Sequence, residues 1–341
     1  MSSRTQIRMI AGILVLAIIG TGCQQADKSE NGKPAVARCM EELNRIPELA
    51  ALKRREEPTE NAASKPLDGL EIALTINDMI RSEGDPDDVD NWCEHENSRE
   101  NFDKLLGALK QHQLPPTVAF VTGQTLDPQL ARDWVASGNK LGSLTYSLMK
   151  PNKSTADEFI SDIARNDQAI GSYQPTVPAQ PRYFRFPRLK VSLDAQARAT
   201  TNNYLRDNHY TVAMATIAAR DAQFNPIYCS ALSRNDESCV YLVKAYFKSL
   251  LLDTSLQARE SARQLSGRDV KHILVVKADQ FTCDHLAETL AWYKSLGARF
   301  ISLEEALRDP FYSMLDQEGK PLASGFSRAL RHARSESGKT K

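Results

Sequence analysis

Asn77 and Asp78 stand side by side directly after the apolar run that ends in Thr75-Ile76. A carboxylate at such a place can ligate a metal ion or take up a proton, whereas an amide has no usable basicity at neutral pH. A second apolar run, Ile273-Leu274-Val275-Val276, ends in Lys277, and Arg185 follows Tyr183-Phe184 and precedes Phe186-Pro187. Between these, the stretch Gly138-Asn139-Lys140-Leu141-Gly142-Ser143-Leu144-Thr145-Tyr146-Ser147-Leu148 carries leucine at positions four apart, and leucine offers no lone pair to a metal. The six histidines, at 95, 112, 209, 272, 285 and 332, include no pair four residues apart. The acidic run from Asp85 to Glu94 could hold Ca2+, but its spacing around Pro86 is not that of an EF-hand, and a solvated loop is the plainer reading. Trp92 within it could stack on a sugar ring or anchor the loop. Asp78 could also be a cap or turn residue. Lys140 and Arg188 could meet an anionic glycan if they lie near a binding mouth.

Such side chains need a scaffold that brings them together. Short apolar runs at 70–76, 117–121, 139–143, 183–186, 210–216, 272–277 and 299–302 read as strands. Helical periodicity fills the intervals near 99–112, 128–136, 155–167, 194–207, 238–252 and 283–296. In the last of these, Leu286, Leu290 and Tyr293 fall on one face, and Thr155 with Glu158 forms a capping box at the start of another. Seven strands with helices between them predict an α/β domain with a parallel sheet, an incomplete or distorted barrel. In such folds functional groups gather at the C-terminal ends of strands. Asn77 and Asp78, Leu144, Arg185 and Lys277 all fall there.

These motifs resemble those of the polysaccharide deacetylase (NodB-homology) family over about residues 70–320. The resemblance implies the family's deformed (β/α)7 barrel. It also implies the place of a chemistry in which a divalent metal such as zinc, held by one Asp and two His, activates water against the amide of an N-acetyl sugar. On this resemblance Asp78 matches the Asp ligand, Leu144 and Leu148 stand where the two His ligands belong, and Thr145 is retained between them. Asn77 stands for the catalytic base and Lys277 for the acid, while Arg185 matches the Arg that orients the base. Tyr210-Thr211-Val212-Ala213 matches a family strand with His209 in place of its glycine. Lys277 is expected to reach Asp78 and supply the cation in place of the metal. The implied protein is catalytically inactive, expects no cofactor, and binds or scaffolds on peptidoglycan or another N-acetylated glycan, with Thr145, Arg185 and Trp92 as candidate ligand contacts. The alternatives are an active deacetylase recruiting Glu94 and His95 beside Asp78, and a protein-interaction module.

The 341 residues carry 43 Lys+Arg against 43 Asp+Glu, so no global field favours nucleic acid. Arg4 and Arg8, an apolar run from Met9 to Ile19, and Gly20-Thr21-Gly22-Cys23 have the layout of a lipoprotein signal. Cleavage after residue 22 would leave Cys23 lipidated and the protein exported and membrane-anchored, at the outer membrane in a Gram-negative cell. A tether with a short helix is expected over 23–66, the barrel over 67–320 and a polar tail over 321–341. Of the remaining cysteines, Cys229 and Cys239 flank a polar stretch and are the first choice for a disulfide, with Cys39 and Cys93 either paired or free, and Cys283 left over.

Overall fold

The computed structural model describes residues 35–52, 65–77, 93, 98–173, 182–189 and 195–317. Eight parallel strands form one curled sheet: β1 (Glu71–Asn77), β2 (Val118–Val121), β3 (Lys140–Ser143), β4 (Arg182–Phe184), β5 (Tyr210–Val212), β6 (Ile217–Ala218), β7 (His272–Lys277) and β8 (Arg299–Ile301). Their order is β5-β4-β3-β2-β1-β7-β6. β8 shares an edge of β1 with β2, pairing residues 71–73 while β2 pairs 75–77. β5 and β6, consecutive in sequence, are not paired with each other, so the barrel stays open there. The seven expected strands are all present. The addition is β6, whose two residues are too short for a periodicity to register.

Side-chain alternation along β1 divides the core. Ile72, Leu74 and Ile76 point outward to the helical layer, whereas Ala73, Thr75 and Asn77 take the alternate, inward face. Inside the barrel, Ala73, Val118, Phe120, Leu144, Tyr183, Ala213, Ile273 and Ile301 pack together, and Leu303, Phe311 and Tyr312 plug the N-terminal end. A strand buried on both faces reads as a continuous apolar run, which is why β1 and β7 were legible.

The helices are α1 (Ala35–Asn44), α2 (Pro47–Leu52), α3 (Ser98–Gln111), α4 (Pro128–Ala136), α5 (Ala156–Gly171), α6 (Ala195–Asp207), α7 (Asn225–Ser233), α8 (Glu237–Ser266), α9 (Gln280–Ser295), α10 (Leu303–Leu307) and α11 (Pro310–Gln317). The Thr155–Glu158 capping box is formed at the start of α5. α8 runs to 30 residues, fourteen beyond the expected end at 252, and stops where Gly267 adopts φ 72°. Among the described residues no helix is long and apolar enough to cross a membrane.

The expected Cys229–Cys239 disulfide is not formed, nor is a Cys39–Cys93 bridge. Cys39 pairs with Cys239 and Cys93 with Cys229, leaving Cys283 buried and free. The stretch between 229 and 239 is not a loop but the end of α7, a tight turn and the start of α8. Its two cysteines therefore face different neighbours, α1 on one side and the segment before α3 on the other. Closing a separation of 200 residues is worth about 5 kcal/mol on the chain-entropy model, against roughly 3 kcal/mol for a short loop. The bridge fixes α1, with Cys39 and Leu43 buried, and with it the turn and α2, where Ile46 and Leu49 are buried, onto the body of the domain.

Candidate functional site

The C-terminal ends of β1, β3, β4 and β7 do converge. Asn77 ends β1, and Lys277 is its register partner at the end of β7. Leu144 follows β3 and Arg185 follows β4, with the Arg185 N–H donating to the Ser143 carbonyl at 2.9 Å. Asp78, Trp92, Glu94, His95 and Cys23 lie outside the described residues, and with them the expected pairing of Lys277 with Asp78.

Arg185 is the centre of this mouth. Its side chain is only 1% exposed. Nε donates to the Ala213 carbonyl at 3.0 Å, Nη1 to Asn77 Oδ1 at 2.9 Å and Nη2 to Thr75 Oγ1 at 2.9 Å. The Thr75 hydroxyl gives its one proton to the Leu274 carbonyl at 2.8 Å, which leaves its lone pairs for the guanidinium. The guanidinium also lies 3.9 Å from the centre of the Phe120 ring. All these described partners are neutral, and burial pushes the Arg185 pKa down to about 9. Bridging Ala213 to Asn77, the side chain spans the interior beside the open seam between β5 and β6. Gly142 makes room for this arrangement, since a Cβ there would meet the Phe120 ring at 2.7 Å.

The 144–148 segment is a loop, not a helical turn. Leu144 is fully buried against Phe120 and Tyr183, and Leu148 packs on the same cluster. Thr145 is buried at φ 73° and Leu148 adopts φ 55°. For a β-branched residue that conformation costs about 1–3 kcal/mol and must be held by its surroundings. Here the Met149 N–H donates to Thr145 Oγ1 at 3.1 Å. Asp162 of α5 accepts from the Ser147 N–H and hydroxyl at 3.0 and 3.1 Å. Asn166, one turn on, donates to the Val121 carbonyl at 3.0 Å and to Ser143 Oγ at 2.8 Å, tying β2 and β3 at their ends. Thr145 is thus a structural support in this geometry.

A metal fits this mouth poorly on the chemistry of its donors. Two of the three positions implied for ligands are leucines packed in an apolar cluster, and leucine offers no lone pair to a metal. Among the described residues no group of three His, Cys, Asp or Glu side chains is arranged to hold an ion.

The β6–β7 side of the mouth differs, and the sequence did not announce it. Asp221, just after β6, is buried; its Oδ2 accepts from the Lys277 N–H at 2.5 Å and the Thr282 hydroxyl at 2.9 Å. Asp279, 2% exposed, caps α9 by accepting from the Thr282 N–H at 2.9 Å, and its second oxygen has no partner among the described residues. Desolvation raises Asp221 to about 6; desolvation and then the Asp221 charge raise Asp279 to about 8. The pair therefore retains a proton at neutral pH. Nothing in the spacing links Asp279 to Asp221, 58 positions earlier. Lys140 is misplaced as a mouth residue: it starts β3 at the opposite end of the barrel, with Nζ 3.9 Å from Glu304. Arg188 is exposed on the turn after β4. His209, in the place of a family glycine, adopts φ 59° before β5.

Residues 65–210 match the family model described as polysaccharide deacetylase. Among curated proteins none matches the sequence. Similar solved structures include a CE4 family pseudoenzyme from Bacillus anthracis, 15% identical with TM-score 0.45, covering 71% of this chain and 66% of that one. A peptidoglycan N-acetylglucosamine deacetylase is 17% identical with TM-score 0.44, over 69% of this chain and 87% of that one. A family 4 acetyl xylan esterase from Clostridium thermocellum is 18% identical with TM-score 0.44, over 69% and 89%.

Proposed function

We propose that this chain, which carries a polysaccharide deacetylase domain over residues 65–210, is an exported, lipid-anchored protein that has given up hydrolysis and binds N-acetylated glycan such as peptidoglycan at the cell envelope. The observation that carries the reading is the pairing of Arg185 Nη1 with Asn77 Oδ1 at 2.9 Å, beside a fully buried Leu144. In that arrangement the base position holds an amide and one ligand position is part of the apolar core, with the other, Leu148, packed against it. Losing the ligands alone could be offset by a neighbour; losing ligands and base together removes both the Lewis acid and the proton acceptor that amide hydrolysis needs.

Export is supported by the Arg4 to Cys23 signal layout and by two disulfides, which persist in oxidising compartments. A neutral net charge suits a neutral glycan better than nucleic acid. The test has two arms on the purified chain. Acetate release from chitooligosaccharides and peptidoglycan, with and without added zinc, is expected to stay at background, and sedimentation with insoluble peptidoglycan is expected to retain the protein. Turnover with zinc would overturn the loss of hydrolysis, and failure to sediment would overturn the glycan ligand.

A further inference from the structure

α8 is longer than the strand it leads into. Its 30 residues make about 45 Å of helix, whereas the six residues of β7 rise only about 20 Å. The excess stands at the mouth. Phe247 of α8 packs edge-on against Phe281 in the first turn of α9, ring centres 4.9 Å apart, and Phe281 lies just past the C-terminal end of β7. The segment 237–246 therefore projects beyond the strand ends by roughly 15 Å. α7 starts at the same level, where Phe224 meets Phe247 and Phe281 at 5.5 and 6.1 Å, and rises beside it. Asp236 closes the turn between the two helices, its N–H donating to the Ala231 carbonyl at 2.9 Å and its side chain accepting from the Cys239 N–H at 3.0 Å.

Two features meet at the tip of this hairpin. Among the described residues, Leu232 and Tyr241 are the large apolar side chains that stand exposed, at 42% and 41%. A single exposed apolar residue is ordinary, but these two share one hairpin end. The N-terminal chain is fastened there as well. Cys39 is bonded to Cys239 with Cα atoms 5.6 Å apart, and Ala35, where α1 begins, is about one helical turn from Cys39. The eleven residues between Cys23 and Ala35 span at most roughly 40 Å. A lipid on Cys23 would thus hold the hairpin tip near the bilayer. The charged residues of the turn, Arg234, Asp236 and Glu237, make no basic patch, so a contact there rests on apolar surface rather than on anionic lipid.

We propose that the tip of the α7–α8 hairpin is a membrane contact, with Leu232 and the Tyr241 ring entering the headgroup region of the bilayer that holds Cys23 and the Tyr241 hydroxyl staying at the wet boundary. The proposal rests on the lipid-anchored reading above and adds an orientation to it. The hairpin projects from the mouth end of the barrel, so that end lies towards the membrane.

The test uses the mature lipidated chain in phosphatidylethanolamine–phosphatidylglycerol vesicles, with and without bromine on the acyl chains, which quenches tryptophan only on close approach. Leu232→Trp and Tyr241→Trp place a probe at the tip, and Arg308→Trp places one at an exposed position at the N-terminal end of the barrel. After subtraction of wild-type emission, the signal of both tip probes is expected to fall roughly twofold or more with brominated lipid, and that of Arg308→Trp to stay unchanged. An unquenched tip probe, or equal quenching at Arg308→Trp, overturns this inference alone. So does self-association of the Cys23→Ser chain in sedimentation velocity that Leu232→Ser with Tyr241→Ser abolishes, since the tip would then serve a second copy. Failure of the wild-type chain to float with vesicles overturns the lipid-anchored reading together with it.

Discussion

The two halves of the barrel mouth keep opposite kinds of chemistry. On the β1–β3–β4 side, the described residues, an amide, two leucines and a buried guanidinium, form a neutral-partnered, well-packed cluster. On the β6–β7 side, two carboxylates remain buried beside Lys277 and share Thr282. The difference teaches that buried charge is kept where it holds backbone: Asp221 accepts from the Lys277 N–H and Asp279 caps the first turn of α9, whereas Arg185 on the other side is held by neutral partners.

Breaking the first half has the largest expected effect. Arg185→Ala leaves the Asn77 and Ala213 oxygens unpaired and empties the space beside Phe120, so denaturant unfolding should report a loss of about 3–5 kcal/mol. Leu144→His restores a ligand type but buries an unpaired imidazole, at a cost of about 2–3 kcal/mol in the same assay. If the variant instead gained stability on adding zinc, the half would have kept a latent metal site. Gly142→Ala pushes Phe120 away from the guanidinium, and a loss of about 1–2 kcal/mol is expected. Asn77→Asp runs the other way. It gives Arg185 a carboxylate partner, so thermal stability should rise by about 1 kcal/mol at pH 7. Because the new Asp would have its pKa depressed by Arg185, that gain should vanish as pH falls below about 4.

The second half is sharpened by pH. Asp279 has a folded pKa of about 8 against an unfolded 3.8, so it contributes stability that is present at low pH and lost as pH rises towards 8. His272 and His285 are shifted down by burial, and their effects lie below about pH 6.5. Between pH 6.5 and 8 the wild type should lose thermal stability with a slope that Asp279→Asn removes, and the two proteins should differ least below about pH 4, where Asp279 is protonated folded and unfolded alike. Parallel melting curves across that window would count against the buried acid pair.

Much of the fold was legible because doubly buried strands leave continuous apolar runs, and because α5 and α9 are amphipathic with capping side chains. The β6 strand, the full length of α8 and the disulfides were not legible, for physical reasons. Two residues carry no period, a helix with charged residues along its exposed face looks like a loop when read locally, and cysteine partners depend on which helix faces turn together. At the site, Asn77, Leu144, Leu148 and Arg185 were readable from the family pattern, and the structure brings them to one end of the barrel. What spacing could not reveal was the role of Phe120 and Gly142 in seating Arg185, or that Asp221 and Asp279 meet at Thr282, because each depends on contacts between residues far apart in the chain.

The central claim is that two packed leucines at the implied ligand positions leave this mouth without a metal centre. It is tested most directly by elemental mass spectrometry of the full chain purified without chelator and again after dialysis against excess zinc. The account predicts less than a tenth of a zinc, cobalt, nickel or iron ion per chain under both conditions. One tightly held transition metal per chain, retained on gel filtration, would contradict it.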